Sequence, residues 1–185
     1  MKYFVACAAL ALLPACMGSG GDDVTVGVDT AANQQLGALL ADVRTGDDVT
    51  TGDPLSALTY HPGVGQIAQD HAQDMFDRDY VSIYELGSTG CGGINDACDM
   101  GDDLNAQGLR WEDILQMVAE GDMTVQQVYQ EFLDNGSSAS GDNAAKWDDI
   151  KDTEGWEFFG LGKAGSGADQ KWALLIVWPS GWSDR

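Results

Sequence analysis

The sequence predicts an α+β domain in which helices pack on a small antiparallel sheet. Three observations predict it. Between Thr59 and Tyr80 the apolar residues Val64, Ile67, Ala68, His71, Ala72, Met75 and Phe76 recur at steps of three and one, the stripe of an amphipathic helix. Near the end, Trp172 to Trp178 reads WALLIVW, an unbroken apolar run that suits a strand buried on both faces. Helical patterns come first and the main strand patterns last, an order that belongs to α+β rather than to alternating architectures.

The remaining elements follow in order. Asp29-Thr30 offers an N-cap, and Leu36, Leu39, Leu40 and Val43 make the stripe of a helix over residues 31–43. Thr45 to Pro54 is polar, with two Gly and a Pro, and reads as a loop. Pro62 suits the first turn of the organising helix, where its missing N–H would be unpaired anyway. Gln69, Asp70, Gln73, Asp74 and Asp77 form that helix's opposite side, which is expected to face water. Asp103 to Gln107 suits a short helix stopped by Gly108, and Trp111 to Ala119 an edge strand or turn. Thr124 followed by Gln127 resembles a capping box, and Val125, Val128, Tyr129 and Phe132 make the stripe of the helix behind it, to about Leu133. Trp156 to Lys163 reads as a strand that enters a glycine turn and forms a hairpin with the WALLIVW run.

The chain has 185 residues, enough for one domain with a full core. It carries 30 acidic against 9 basic residues, net −21, so nucleic acid is an unsuitable partner: such binders cluster Lys and Arg. Scattered acids of this kind make a solvated, self-repelling surface before they make a site. Residues 1–15 form a signal peptide, with Lys2 as its positive start and Phe4 to Leu13 as a short apolar core. Leu13-Pro14-Ala15-Cys16 resembles a bacterial lipobox, with Pro14 a mild departure. The expectation is cleavage before Cys16 and lipidation of it, two or three acyl chains giving stable anchoring. Residues 16–30 then form the lipidated end and a Gly, Ser and Asp tether, and residues 31–182 the folded domain. Met17 supplies no inner-membrane retention signal, so the expected location is the outer membrane of a bacterial envelope, facing the periplasm or the exterior.

Cys91 and Cys98 lie in a Gly-rich segment and are expected to form a disulfide outside the cytoplasm; two thiols without a nearby His make a poor metal site. Asp96, Asp99, Asp102 and Asp103 surround them and are calcium candidates, though their spacing is not that of an EF-hand loop. His71, on the edge of its stripe, is a ligand or general base in one reading and a core histidine with one hydrogen bond in the plainer one. His61 looks like a helix-start residue. No G-x-S-x-G occurs, and Gly160-Leu161-Gly162 lacks the strand-to-helix context of a phosphate loop. Trp156, Trp172 and Trp178 are assigned to the core, and Trp182 to the surface.

Several blocks together resemble the CAP superfamily of cysteine-rich secretory, antigen 5 and pathogenesis-related proteins. Leu58, Tyr60, Val64, Ala68, His71, Ala72 and Met75, then Arg78, Tyr80, Val81, Ser82 and Ile83, are similar to its first block. Gly108, Leu109 and Trp111, then Gln116, Met117, Val118, Ala119 and Gly121, are similar to its second. Phe132 to Ser138, Phe159 to Ala164 and the final tryptophan strand complete the order. The resemblance implies a three-layer α-β-α sandwich with a cleft at one end. The family cleft usually holds two His and acidic partners able to bind zinc. At the matching positions stand Ile83, Gln116 and Ser138, which with His71 are the cleft candidates here. Ile cannot ligate a metal, and Gln or Ser would do so poorly. The sequence therefore reads as a non-catalytic envelope domain that binds a small ligand, lipid, glycan or protein partner, with no cofactor expected. An envelope hydrolase using a remodelled cleft, or a calcium-dependent adhesion module, is the alternative.

Overall fold

The computed structural model describes residues 27–45, 55–83, 98–138, 150–151 and 153–181; the side chains at 98–99 and 135–138 lie outside that description. Its elements are α1 (Thr30–Thr45), β1 (Thr59–Tyr60), α2 (Pro62–Asp77), α3 (Cys98–Ala106), β2 (Trp111–Glu120), α4 (Val125–Ser138), β3 (Phe158–Ala164) and β4 (Lys171–Pro179), with a 3-10 turn, Gly167–Asp169, between the last two strands. The sheet runs β1-β3-β4-β2. β3 and β4 form the expected antiparallel hairpin, and β2 pairs antiparallel with β4 at one edge. β1 joins the other edge parallel to β3, so the sheet is mixed.

Alternation along each strand divides the molecule into three layers. Leu115, Met117, Phe159, Leu161, Trp172, Leu174 and Ile176 face α1 and α4, where they bury Leu36, Leu40, Val128 and Phe132. Ile114, Leu175 and Val177 face the other way, onto Val64, Ile67 and Ala68 of α2 and Met100 and Leu104 of α3. A smaller cluster, Ala72, Met75, Ala164 and Ala173, continues that side toward the end of α2. Trp156 and Trp172 are buried, as assigned, and Trp178 is partly so.

The helix ends are made locally. Asp29 Oδ1 accepts from Ala32 N at 3.0 Å, and the Thr124–Gln127 box closes in both directions, at 2.9 and 3.3 Å. α2 starts on His61, whose Nδ1 accepts from Gly63 N at 3.1 Å, followed by Pro62. α2 then lies directly on β3. A Cβ at Gly160 would stand 2.3 Å from Gly65 N, and one at Gly162 would stand 2.1 Å from Ala68 O. The glycine pair is thus a bed for the helix.

Two corrections to α2 follow. Gln69, expected to face water, is 2% exposed. Its amide exchanges two hydrogen bonds with the backbone of Lys163, at 2.8 and 3.0 Å. Phe76, expected in the buried stripe, is 39% exposed. Asn33 of α1 does for Leu161 what Gln69 does for Lys163, with bonds of 2.9 and 2.8 Å. β1 is only two residues long, so beyond Phe159 the outer edge of β3 has no strand beside it. The two side-chain amides take over the ladder there, one from each helical layer.

Arg44 is the other buried polar anchor. Its guanidinium donates to the carbonyls of Ser56, Ile150, Thr153 and Trp156, and no carboxylate bonds it among the described residues. Burial pushes its pKa down from the usual arginine value, with Glu154 opposing. The four carbonyls carry partial negative charge, which lets a single cation close the ends of several loops against α1.

Candidate functional site

α2 holds His71 on its buried face. The ring is 1% exposed, and Nε2 lies 2.8 Å from Ser82 O. A carbonyl can only accept, so Nε2 carries the proton and Nδ1 the lone pair; that Nδ1 has no partner. Burial pushes the imidazole pKa below its ordinary value, with the Ser82 bond and Asp74 opposing, so the ring is neutral at pH 7. Tyr80 stands edge-on to it at 6.4 Å between centroids. Tyr80 Oη also donates to Asp74, as does Arg78. Those two bonds hold the Asp74 carboxyl below its usual pKa against the opposing effect of its own burial. The cluster pins residues 78–82 back onto α2. His71 is thus a buried histidine with one hydrogen bond, its one N–H committed and its Nδ1 lone pair unpartnered.

Ile83 follows directly, half-buried, at the bend after this pinned segment. Gln116 sits on β2 opposite Leu175, on the α2 and α3 side of the sheet. It is 8% exposed, and its amide nitrogen donates to Met100 Sδ of α3. Ser138 is the last residue of α4, which packs on the opposite face with α1; its side chain lies outside the described residues. Neither a hydrogen bond nor an ion pair links His71, Ile83 and Gln116 to one another among the described residues. The donor set does not fit zinc: Ile83 offers no lone pair, Gln116 only a neutral amide, and His71 Nδ1 would stand as a single imidazole ligand.

The other candidates fall at the start of the chain and around α3. Asp102 and Asp103 are exposed on that helix. Cys91 and Asp96 lie outside the described residues, as do the side chains of Cys98 and Asp99, and so do Cys16 with the whole signal segment and Trp182. No group of three or more His, Cys, Asp or Glu able to hold a metal ion occurs among the described residues. No helix among them is long and apolar enough to cross a membrane.

Two depressions carry side chains that sequence reading did not single out as sites. One, of about 280 Å³, is lined by Phe76, Asp79, Asp169 and Lys171. The Lys171 side chain is 2% exposed and ion-paired with Glu120, with Asp79 3.9 Å away. The other is a polar groove of about 670 Å³ lined by Asn105, Gly108, Arg110, Trp111 and Ser180. Its residues come from the end of α3, the start of β2 and the end of β4, and the pairing of Trp111 with Pro179 helps to bring them together.

No protein-family model matches the chain, and no curated protein does. Solved structures do match its fold. An outer surface protein from Borrelia burgdorferi superposes with a TM-score of 0.57 at 10% identity, covering 81% of this chain and 94% of that one. An extracellular protein containing an SCP domain, from Bacillus anthracis, superposes with a TM-score of 0.53 at 18% identity, covering 80% of this chain and 40% of that one.

Proposed function

We propose that this chain, whose fold is the CAP or SCP-like sandwich, is a lipid-anchored envelope domain that binds a ligand or partner without turning it over. The observation that carries this reading is the state of the cleft positions. Ile83 is inert, the Gln116 amide nitrogen donates to Met100, and the one free lone pair of His71, on Nδ1, is buried away from solvent. A general base needs a free lone pair within reach of substrate, and a metal site needs converging donors. Neither arrangement is assembled from these groups. In this reading the signal peptide is removed, Cys16 carries the lipid, and residues up to 30 hold the domain off an anionic membrane that its own charge avoids. The two structural neighbours, one an outer surface protein and one extracellular, support an envelope location.

The test is a zinc titration of residues 18–185 read by thermal unfolding, with calcium run in parallel. The expected outcome is no shift with zinc, because a ligand that binds the folded state alone must raise the midpoint. Stabilisation by zinc that His71→Gln abolishes would overturn the reading and favour a hydrolase. Stabilisation by calcium alone, lost when Asp99 and Asp102 are changed to Asn, would instead favour the adhesion module.

A further inference from the structure

We propose that the groove between the end of α3 and the start of β2 is a binding site for a carboxylate-bearing, hydroxyl-rich ligand, of which a uronic acid is the simplest example, with Arg110 as its anion anchor. This gives the binding role a ligand class at a place apart from the cleft candidates, and it does not depend on the cleft being inert.

The groove is a built feature. α3 ends at Ala106, and Gly108, at φ +79°, turns the chain so that Leu109 N reaches back to Leu104 O at 2.9 Å. Ser180 N donates to Arg110 O at 3.0 Å, which clamps the end of β4 to the start of β2. The Trp111 indole is fixed: Nε1 donates to Gly101 O at 3.0 Å, and a Cβ on Gly101 would lie 2.4 Å from the ring. Its N–H is therefore spent, so any ring surface it presents to the groove is apolar. Around the Gly108 Cβ position no atom stands within 4 Å, so that side is open. A volume of about 670 Å³ is ample for a sugar ring and falls in the range of small-ligand sites, roughly 300–1,000 Å³.

The charge inventory then points to what the groove takes. Among the described residues every other cation is engaged. Arg44 is on four carbonyls, Arg78 on Asp74, Lys163 over Trp172 at 4.9 Å, Lys171 on Glu120, and Lys151 is partnered too. The Arg110 side chain alone among them has no hydrogen bond, ion pair or ring contact, in a chain with 30 acids to 9 bases. One guanidinium matches one carboxylate through two parallel bonds. A net charge of −21 repels polyanions, so a single arginine selects a monoanion and not a polyphosphate or nucleic acid. The Asn105 amide and the Ser180 hydroxyl both donate and accept, which suits sugar hydroxyls, and the Trp111 ring suits the C–H face of a pyranose.

The experiment is an NMR titration of residues 18–185 with glucuronate, glucose and inorganic phosphate, at low ionic strength, for the wild type and for Arg110→Gln. Saturable glucuronate shifts at Asn105, Arg110, Trp111 and Ser180 are expected, with glucose and phosphate at least tenfold weaker. Arg110→Gln should weaken glucuronate at least tenfold and leave the melting temperature unchanged, because Arg110 is exposed. Absence of saturable glucuronate binding, binding that Arg110→Gln retains, or phosphate binding as tight as glucuronate would each overturn the assignment. Zinc plays no part in this test, so its failure leaves the reading of the cleft where the zinc titration puts it.

Discussion

His71 makes the molecule acid-sensitive in a window that its carboxylates do not share. Its folded pKa is lowered by burial, while in the unfolded chain it returns to about 6.5. As the pH falls below about 6.5 the unfolded state takes up the proton first, so the stability present above that value is lost on acidification. Asp74, whose folded pKa is lowered, loses its contribution only below its unfolded value of about 4, and so acts separately. His71→Gln keeps an N–H donor for the Ser82 carbonyl without a titrating ring. Thermal unfolding between pH 8 and pH 5 should therefore show the wild type losing stability faster than the variant. Parallel curves would mean that the imidazole does not titrate with folding.

β3 shows how an edge can be finished without a strand. Asn33 and Gln69 satisfy both backbone groups of Leu161 and of Lys163. Asn33→Leu or Gln69→Leu leaves a buried N–H and C=O without partners, at a cost of about 3 kcal/mol each. Denaturant titration should show that loss. Hydrogen exchange should show the Leu161 amide opening in the first variant and the Lys163 amide in the second. A loss under about 1 kcal/mol would mean that water replaces the side chain. The same strand marks where sequence reading succeeds and fails. The stripes of α1, α2 and α4, the Thr124 box and the hairpin are legible because each is a local pattern of period 3.6 or 2. Gln69 reads as a surface residue because its partner lies 94 positions away. Asn33 and Arg44 carry no local signal for the same reason, their partners lying up to 128 positions off. β1 is too short to show alternation. The family resemblance singles out Ile83 and Gln116 as cleft candidates, but nothing local announces that Met100 accepts from the Gln116 amide nitrogen. The groove at Arg110 is invisible in the sequence because strand pairing assembles it.

At the scale of the whole molecule the charge of −21 works against compaction, since like charges sit closer in the folded than in the unfolded chain. Salt shortens the screening length from about 30 Å at 0.01 M to about 3 Å at 1 M. Raising sodium chloride through that range should raise the melting temperature by several degrees, measured at pH 7.5 where His71 is neutral in both states. A flat response would mean that the acids lie too far apart to repel.

The Asn33 bridge also has a mechanical meaning. Asn33 stands three residues into α1, close to where the chain leaves toward its N-terminus, and its amide grips the backbone of β3 from there. A pull on the leading segment therefore loads two hydrogen bonds to the sheet before it can unwind the rest of α1. A domain pulled from that end would bear the force on β3 and on the hairpin behind it.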